Sequence, residues 1–268
     1  MACTTRRIGI IGGSGWLGAA FAQAMLDTRF IAASQLTLSS RTGSGGIAGA
    51  SWTRDNQRLV NRSDVVLLSV RPEQFGDVVI DARGKLVISV MAGVSLTTLA
   101  RHTGADRLVR AMPNAAATIG ACYTPWCATP AVSEADRALV QGLFETCGQA
   151  DAVPSEADID YFCGLTGSGA GFPALLASAM ISHAEARGLP PALIRRAVLS
   201  VVTGASRLLV DTDPAQMMQA LIDYRGTTAA ALQAMIDRGF EGAVHAGLDA
   251  ADARATEMAR SSARRLDP

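Results

Sequence analysis

The sequence predicts an α/β protein in two parts: a doubly wound, mostly parallel sheet over residues 1–154, then an all-α region over residues 155–268. Three observations carry that division. A short apolar strand near the N-terminus runs straight into a glycine turn and a helix. Continuous apolar strands then recur between short helical segments, the texture of strands buried on both faces. Beyond Ser155 the strands stop and helical periodicity takes over.

The glycine turn lies in Arg7–Gly18, RIGIIGGSGWLG. Ile8, Ile10 and Ile11 form the strand, and Gly13, Ser14, Gly15, Trp16, Leu17 and Gly18 follow in GxGxxG spacing, ahead of a helix over Ala19–Leu26. Strand, glycine turn and helix start in that order make the Rossmann dinucleotide fingerprint. Gly13 is expected to make the turn, Gly15 to let a pyrophosphate approach the backbone, and Gly18 to let helix and strand pack closely. The unpaired N–H groups and positive end of the helix favour the phosphate charge.

Gln35–Ser39 reads as the second strand, ending in Ser39, Ser40, Arg41 and Thr42. An NAD site places an acid about twenty residues past the glycines, on the ribose 2′-hydroxyl. Hydroxyls and a guanidinium suit a 2′-phosphate instead, so the expected cofactor is NADP (NADPH), with NAD as the alternative. Asp64–Val70, Lys85–Val90 and Arg107–Met112 are further strands. Ligands of such sheets sit beyond the strands' carboxyl ends. Val70, Arg71 and Pro72, then Ala92 and Gly93, then Pro113 and Asn114, are thereby placed on one rim with the glycine turn, as walls of a cofactor crevice. Tyr123–Ala128 and Ala150–Val153 read as strands around a helix over Glu134–Thr146.

Ser155-Glu156-Ala157-Asp158 is a helix-start signature. The helical pattern beyond it breaks at Gly167–Gly169, Gly188–Pro191, Asp211–Pro214 and Gly226–Thr228. Phe172–Ala186 is apolar around much of its circumference, so it is expected to be buried in its own domain or against a second subunit. The tail Arg260–Pro268 is expected to fray.

Zero formal net charge offers no field to collect nucleic acid or an anionic membrane. The start MACTTRR lacks a signal-peptide core, and no apolar run reaches membrane-span length. Cys3, Cys122, Cys127, Cys147 and Cys163 form no CxxC pair, the pattern of reduced thiols in a cytoplasmic protein. No metal-ligand spacing stands out. His183 reads as a core residue, His102 and His245 as surface, Ser168 as a turn residue, and Asp151, Glu156, Asp158 and Asp160 as a solvated helix start.

Several segments together resemble the pyrroline-5-carboxylate reductases. They are the glycine turn, Asp64–Pro72, Val109-Arg110-Ala111-Met112-Pro113-Asn114, Gly164-Leu165-Thr166-Gly167-Ser168-Gly169, Gly188-Leu189-Pro190, Thr203-Gly204-Ala205 and Gly226-Thr227-Thr228. The resemblance implies an NAD(P)-binding Rossmann domain over 1–154 and a helical dimerisation and substrate domain over 155–268. It implies a homodimer or higher homo-oligomer, and NAD(P)H-dependent reduction of a small cyclic imino acid, pyrroline-5-carboxylate to proline. It further implies that Gly226, Thr227 and Thr228 hold the substrate carboxylate, that Thr228 reaches the ring nitrogen with Thr227 beside it as the catalytic pair, and that Asn114, Ala92 and Gly93 lie near the nicotinamide.

The family usually reads Ser-Pro-Gly-Gly-Thr-Thr at that turn, where this chain has Asp223-Tyr224-Arg225-Gly226-Thr227-Thr228. Asp223 and Arg225 are therefore candidate substrate-binding residues, and a reductase of a different cyclic imine stays open. Ala170-Gly171-Phe172 stands where the family prefers Pro-Ala-Tyr. A hydroxyacid dehydrogenase would need a base, commonly a lysine in the helical domain, yet Lys85 is the only lysine. A non-catalytic nucleotide-binding homologue is the remaining alternative.

Overall fold

A computed structural model describes residues 4–266. Eight strands form one sheet: β1 Ile8–Ile11, β2 Leu36–Ser39, β3 Ser51–Thr53, β4 Val65–Leu68, β5 Leu86–Ser89, β6 Arg107–Ala111, β7 Cys122–Ala128 and β8 Gly148–Ala152. Their order is β3-β2-β1-β4-β5-β6-β7-β8, parallel throughout except that β7 runs antiparallel to β6 and carries β8 with it. This is the doubly wound, mostly parallel sheet that the sequence predicts.

Every residue of β1, β4 and β5 is buried, because helices cover both faces. Ile8, Ile10, Val65, Leu67, Leu86 and Ile88 share one cluster with Phe21 of α1 (Trp16–Asp27) and with Phe144 of the helix Glu134–Glu145. Those two rings meet edge-on at 5.7 Å. Ile11, Val66, Leu68 and Val87 turn the other way, onto Leu59 of α2 (Asn56–Arg62) and Leu99 of α3 (Leu96–Thr103). Gly9 makes the α2 contact possible, since a Cβ there would lie 2.3 Å from Leu59 Cδ2. The helix Glu134–Glu145 is α4.

The remaining helices are α5 Glu156–Phe162, α6 Gly171–Glu185, α7 Pro191–Leu199, α8 Pro214–Asp223, α9 Thr227–Asp237 and α10 Phe240–Leu266. Ser155 caps α5 by accepting from Asp158 N while the Asp158 carboxylate accepts from Ser155 N, the reciprocal box its sequence announces. Two contact units result. One is the chain up to Ser168 together with the chain from Ala251 onward; the other is Gly169–Ala250.

The second unit has little core of its own. Ala177, Ile194 and Val198 are its buried apolar residues among those described, with Met180, Ile181, Ala184 and Val202 packed around them. The apolar circumference of α6 is consequently not covered within the chain: Leu175 is 72% exposed, and Phe172 and Leu176 also face out.

Several sequence expectations change, and His183, read as a core residue, is exposed in the chain. The expected helix break at Gly167–Gly169 is present: a π-helical turn at Cys163–Gly167 and a turn over residues 168–170 separate α5 from α6. Counted through that turn as one helix, Glu156–Glu185 is long enough to cross a membrane by length and composition alone, its most apolar 18-residue window having a mean hydropathy of 1.2. The C-terminal segment does not fray at Arg260, because α10 continues to Leu266; residues 267 and 268 lie outside the described residues. His102 is half-buried rather than on the surface, stacked on Phe75 at 4.4 Å with Nε2 2.9 Å from the Val78 carbonyl oxygen. Glu156 and Asp160 are not a solvated helix start, since both bind Arg110.

Candidate functional sites: the sheet rim, and the turn before α9

Parallel register brings the strand ends together. Ile11 is opposite Leu68, Leu68 opposite Ser89, and Ser89 opposite Arg110, so the loops after β1, β4, β5 and β6 leave one rim. Gly12, which the sequence motif does not single out, carries the left-handed backbone, with φ +88°. A Cβ there would lie 2.4 Å from the Ser69 carbonyl oxygen. Gly13 instead clears space for Leu38 of β2, 2.9 Å from where its Cβ would be, so the turn belongs to Gly12 rather than Gly13. Gly18 packs against the Gly12 carbonyl as expected, its virtual Cβ only 2.6 Å away.

Gly15 starts α1 without any side-chain cap, leaving the first-turn N–H groups of the helix unclaimed. Ser14, Gly15 and Trp16 are exposed, while Leu17 packs on the core below. An open, uncapped helix start behind a glycine turn fits the pyrophosphate of a dinucleotide.

At the end of β2, Ser39 is buried and donates to Asn56 Oδ1 at 2.7 Å, so its hydroxyl faces α2. Ser40 Oγ accepts from Gly43 N at 3.0 Å and Ser44 N at 3.2 Å, fixing the loop, and Arg41 stands exposed beside it. Arg54, one residue past β3, donates from Nε to the Thr42 carbonyl at 2.8 Å. The sequence reading missed Arg54 because β3 is three residues long, too short to announce a strand end.

Further along the rim, Arg71 is exposed while Val70 and Pro72 are half-buried. Gly93 has φ +68° and lies under α10, where a Cβ would meet the Met258 carbonyl carbon at 3.0 Å. Pro113 is buried; Asn114 Oδ1 accepts from Ala116 N at 3.1 Å, which commits that oxygen to the following turn. Asn114 N–H donates to Cys122 Sγ at 3.2 Å, and burial raises that thiol's pKa, keeping it protonated.

In the second unit, Asp223 ends α8 with Oδ1 accepting from Gln219 Nε2 at 2.9 Å. Arg225 takes the left-handed conformation, φ +56°, one of two non-glycine residues among those described with positive φ. Gly226 opens α9 without a side-chain cap, and Thr227 and Thr228 stand exposed in its first turn.

Comparison with known proteins matches both halves. A family model described as NADP oxidoreductase, coenzyme F420-dependent, matches residues 7–93, and one described as pyrroline-5-carboxylate reductase dimerisation matches residues 156–258. The pyrroline-5-carboxylate reductase of Synechocystis is 32% identical over 212 residues, covering 77% of this chain and 79% of that protein. The chain belongs to the pyrroline-5-carboxylate reductase family. The structure of a Coxiella burnetii pyrroline-5-carboxylate reductase superposes with a TM-score of 0.85 at 26% identity, covering 95% of this chain and 99% of that one. A Plasmodium falciparum pyrroline carboxylate reductase solved with NADP bound shares the fold, with a TM-score of 0.84 at 22% identity, covering 96% of this chain and 100% of that one.

The turn before α9 is one of the two segments singled out above as departing from the residues that the resemblance leads one to expect. Arg225 holds a left-handed backbone that glycine adopts without steric cost. Strain of this kind persists where surrounding structure or function holds it.

Proposed function

We propose that this family member is an NADPH-dependent reductase of a cyclic imino acid, converting pyrroline-5-carboxylate to proline. The observation that carries the reading is the start of α9: two exposed threonine hydroxyls on uncapped first-turn amides, at the Gly226-Thr227-Thr228 segment that matches the family. NADPH, when bound, supplies the hydride. The rest of the chemistry asks for positioning, because an imine protonated on nitrogen is already electrophilic.

Gly226, Thr227 and Thr228 hold the substrate carboxylate through backbone N–H groups and hydroxyls, aided by the positive end of the helix. Thr228 accepts the hydrogen bond of the iminium N–H and so orients the ring. Arg225 adds a cation to the carboxylate site, and Asp223, drawn toward Gln219, keeps its charge directed there. On the sheet unit, Gly13, Ser14, Gly15, Trp16, Leu17 and Gly18 hold the pyrophosphate, and Ser40 and Arg41 the 2′-phosphate. Val70, Arg71, Pro72, Ala92, Gly93, Pro113 and Asn114 line the rest of the dinucleotide's path.

The exposed apolar residues of the second unit support a homodimer as the smallest assembly, with the family's dimerisation model spanning residues 156–258. The same requirement explains why α6 is apolar around much of its circumference: it is a subunit-facing helix. We place the change of role near residue 155, and the protein in the cytoplasm, consistent with free Cys122, Cys127, Cys147 and Cys163.

NADPH consumption with five- and six-membered cyclic imino acids tests the reading. Turnover of the five-membered acid, lost in Thr228→Ala and reduced in Thr227→Val, is the expected result. Full kcat/KM in both variants would remove the two threonines from the mechanism.

A further inference from the structure

We propose that Arg54 is a second guanidinium for the cofactor's 2′-phosphate, acting with Arg41 to set this chain's choice of a phosphorylated over an unphosphorylated dinucleotide. The inference rests on the NADP reading of the same loop. Strand register places the two arginines together: Ser39 pairs with Thr53, and Ser40 N donates to the Thr53 carbonyl at 3.3 Å, so the chain leaves β2 and β3 side by side. Arg54 follows β3 directly, as Ser40 and Arg41 follow β2.

The Arg54 side chain is held rather than free to wander. Its stem crosses Gly43, where a Cβ would sit 2.7 Å from Arg54 Cγ, and φ +74° at Gly43 makes the position a glycine one on two counts. Nε donates to the Thr42 carbonyl, which leaves both terminal nitrogens without a partner among the described residues. A guanidinium anchored at Nε and open at its fork is prepared for two-point binding of a phosphate.

The loop beneath it is equally fixed. Ser40 Oγ lies 3.2 Å from Thr42 Oγ1 and within hydrogen-bonding reach of the Gly43 and Ser44 N–H groups, while the Trp52 indole packs beneath Gly45. Charge points the same way. No Asp or Glu occurs between Ser39 and Arg54, so nothing opposes a phosphate or claims a ribose 2′-hydroxyl. The nearest acid in sequence, Asp55, spends its carboxylate on Arg58 N at 2.9 Å as the cap of α2.

Equilibrium binding of 2′,5′-ADP and 5′-ADP to the purified protein, without turnover, reads the effect directly. Arg54→Ala is expected to weaken 2′,5′-ADP by about tenfold, the size of one exposed charge-assisted hydrogen bond, and to leave 5′-ADP unchanged. Arg54→Lys should recover part of the loss, since an ammonium keeps the charge but not the fork. An unchanged ratio in Arg54→Ala, or equal weakening of both ligands, overturns the assignment. Arg41→Ala separates the two levels. If it lowers the ratio while Arg54→Ala does not, the NADP reading stands and Arg54 has no part in it. If neither lowers it, both fall.

Discussion

Arg110 and Glu156 lie 46 positions apart and meet at 2.9 Å, Nη1 donating to Oε1. The same carboxylate oxygen accepts from Leu96 N at 2.7 Å, and Arg110 Nη2 donates to Asp160 Oδ1 at 2.5 Å. Arg110 is the last residue but one of β6, just ahead of the Met112–Asn114 segment, and Leu96 opens α3, which follows Gly93. Arg110, 1% exposed, and Glu156 together therefore tie the end of β6 and the start of α3 to α5. Its neighbour Cys127 is pushed up to about 11, first by burial and then by Glu156, so that thiol stays neutral and adds no charge to the cluster.

Replacing Arg110 by methionine leaves two carboxylates facing each other without a cation. Breaking a fully buried pair from one side costs about 3–5 kcal/mol; Glu156 and Asp160 are 31% and 25% exposed, so a smaller loss is the expected outcome in urea unfolding. Glu156→Gln should cost less, because its amide oxygen can still accept from Leu96 N. An Arg110→Met variant as stable as the parent would mean that the cluster contributes nothing net to folding.

Arg225 carries the opposite kind of energy. Its φ of +56° costs about 1 kcal/mol in a residue with a Cβ, and glycine removes that cost. Arg225→Gly is therefore expected to raise the melting temperature while raising KM for the imino acid. A KM that stays put would free the turn from any part in substrate binding, and a lower melting temperature would show that the arginine makes a stabilising contact in the assembly.

The Arg107–Asp136 pair predicts a pH dependence. Burial pushes the Asp136 carboxyl up, but Arg107 Nη1 at 2.8 Å and Ser133 Oγ at 3.0 Å together bring it below its ordinary value of 3.8. A group whose pKa falls on folding stabilises above its unfolded pKa and loses that contribution as pH drops through the folded value. The stability gap between the parent and Asp136→Asn should be full at neutral pH and shrink below about pH 4. Unfolding curves between pH 3 and 7 check this; a gap independent of pH would assign the effect to packing.

How much of this the sequence revealed depended on the range of the interaction. The strands announced themselves because β1, β4 and β5 are buried on both faces and so are apolar throughout. Ser155 and Asp158 announced a helix start because a capping box spans four residues. Arg110 gave no such signal, since its partners lie in another element and look like surface acids until the fold brings them in. Gly12 and Gly13 exchanged roles for a related reason: the spacing is local, but which glycine must yield depends on Ser69 and Leu38. Gly167–Gly169 was legible as a helix break because clustered glycines mark one locally, whereas the π-helical turn just before it, Cys163–Gly167, gave no such signal.

The second unit's surface yields the last expectation. Leu175, Leu208 and Val210 are 72%, 62% and 79% exposed in the single chain, around a core of few buried residues. A unit so exposed gains stability when another copy covers it, and in a two-fold assembly each residue counts twice. Leu175→Glu places two charges at that face, each displacing about 1.5–3 kcal/mol of apolar burial, enough to shift a micromolar sample from dimer to monomer in sedimentation. Val79 is the control. It is 81% exposed on the sheet unit, outside the dimerisation segment, so Val79→Glu should sediment with the parent. If Leu175→Glu and Val79→Glu sediment alike, the apolar face of α6 is not what joins the subunits.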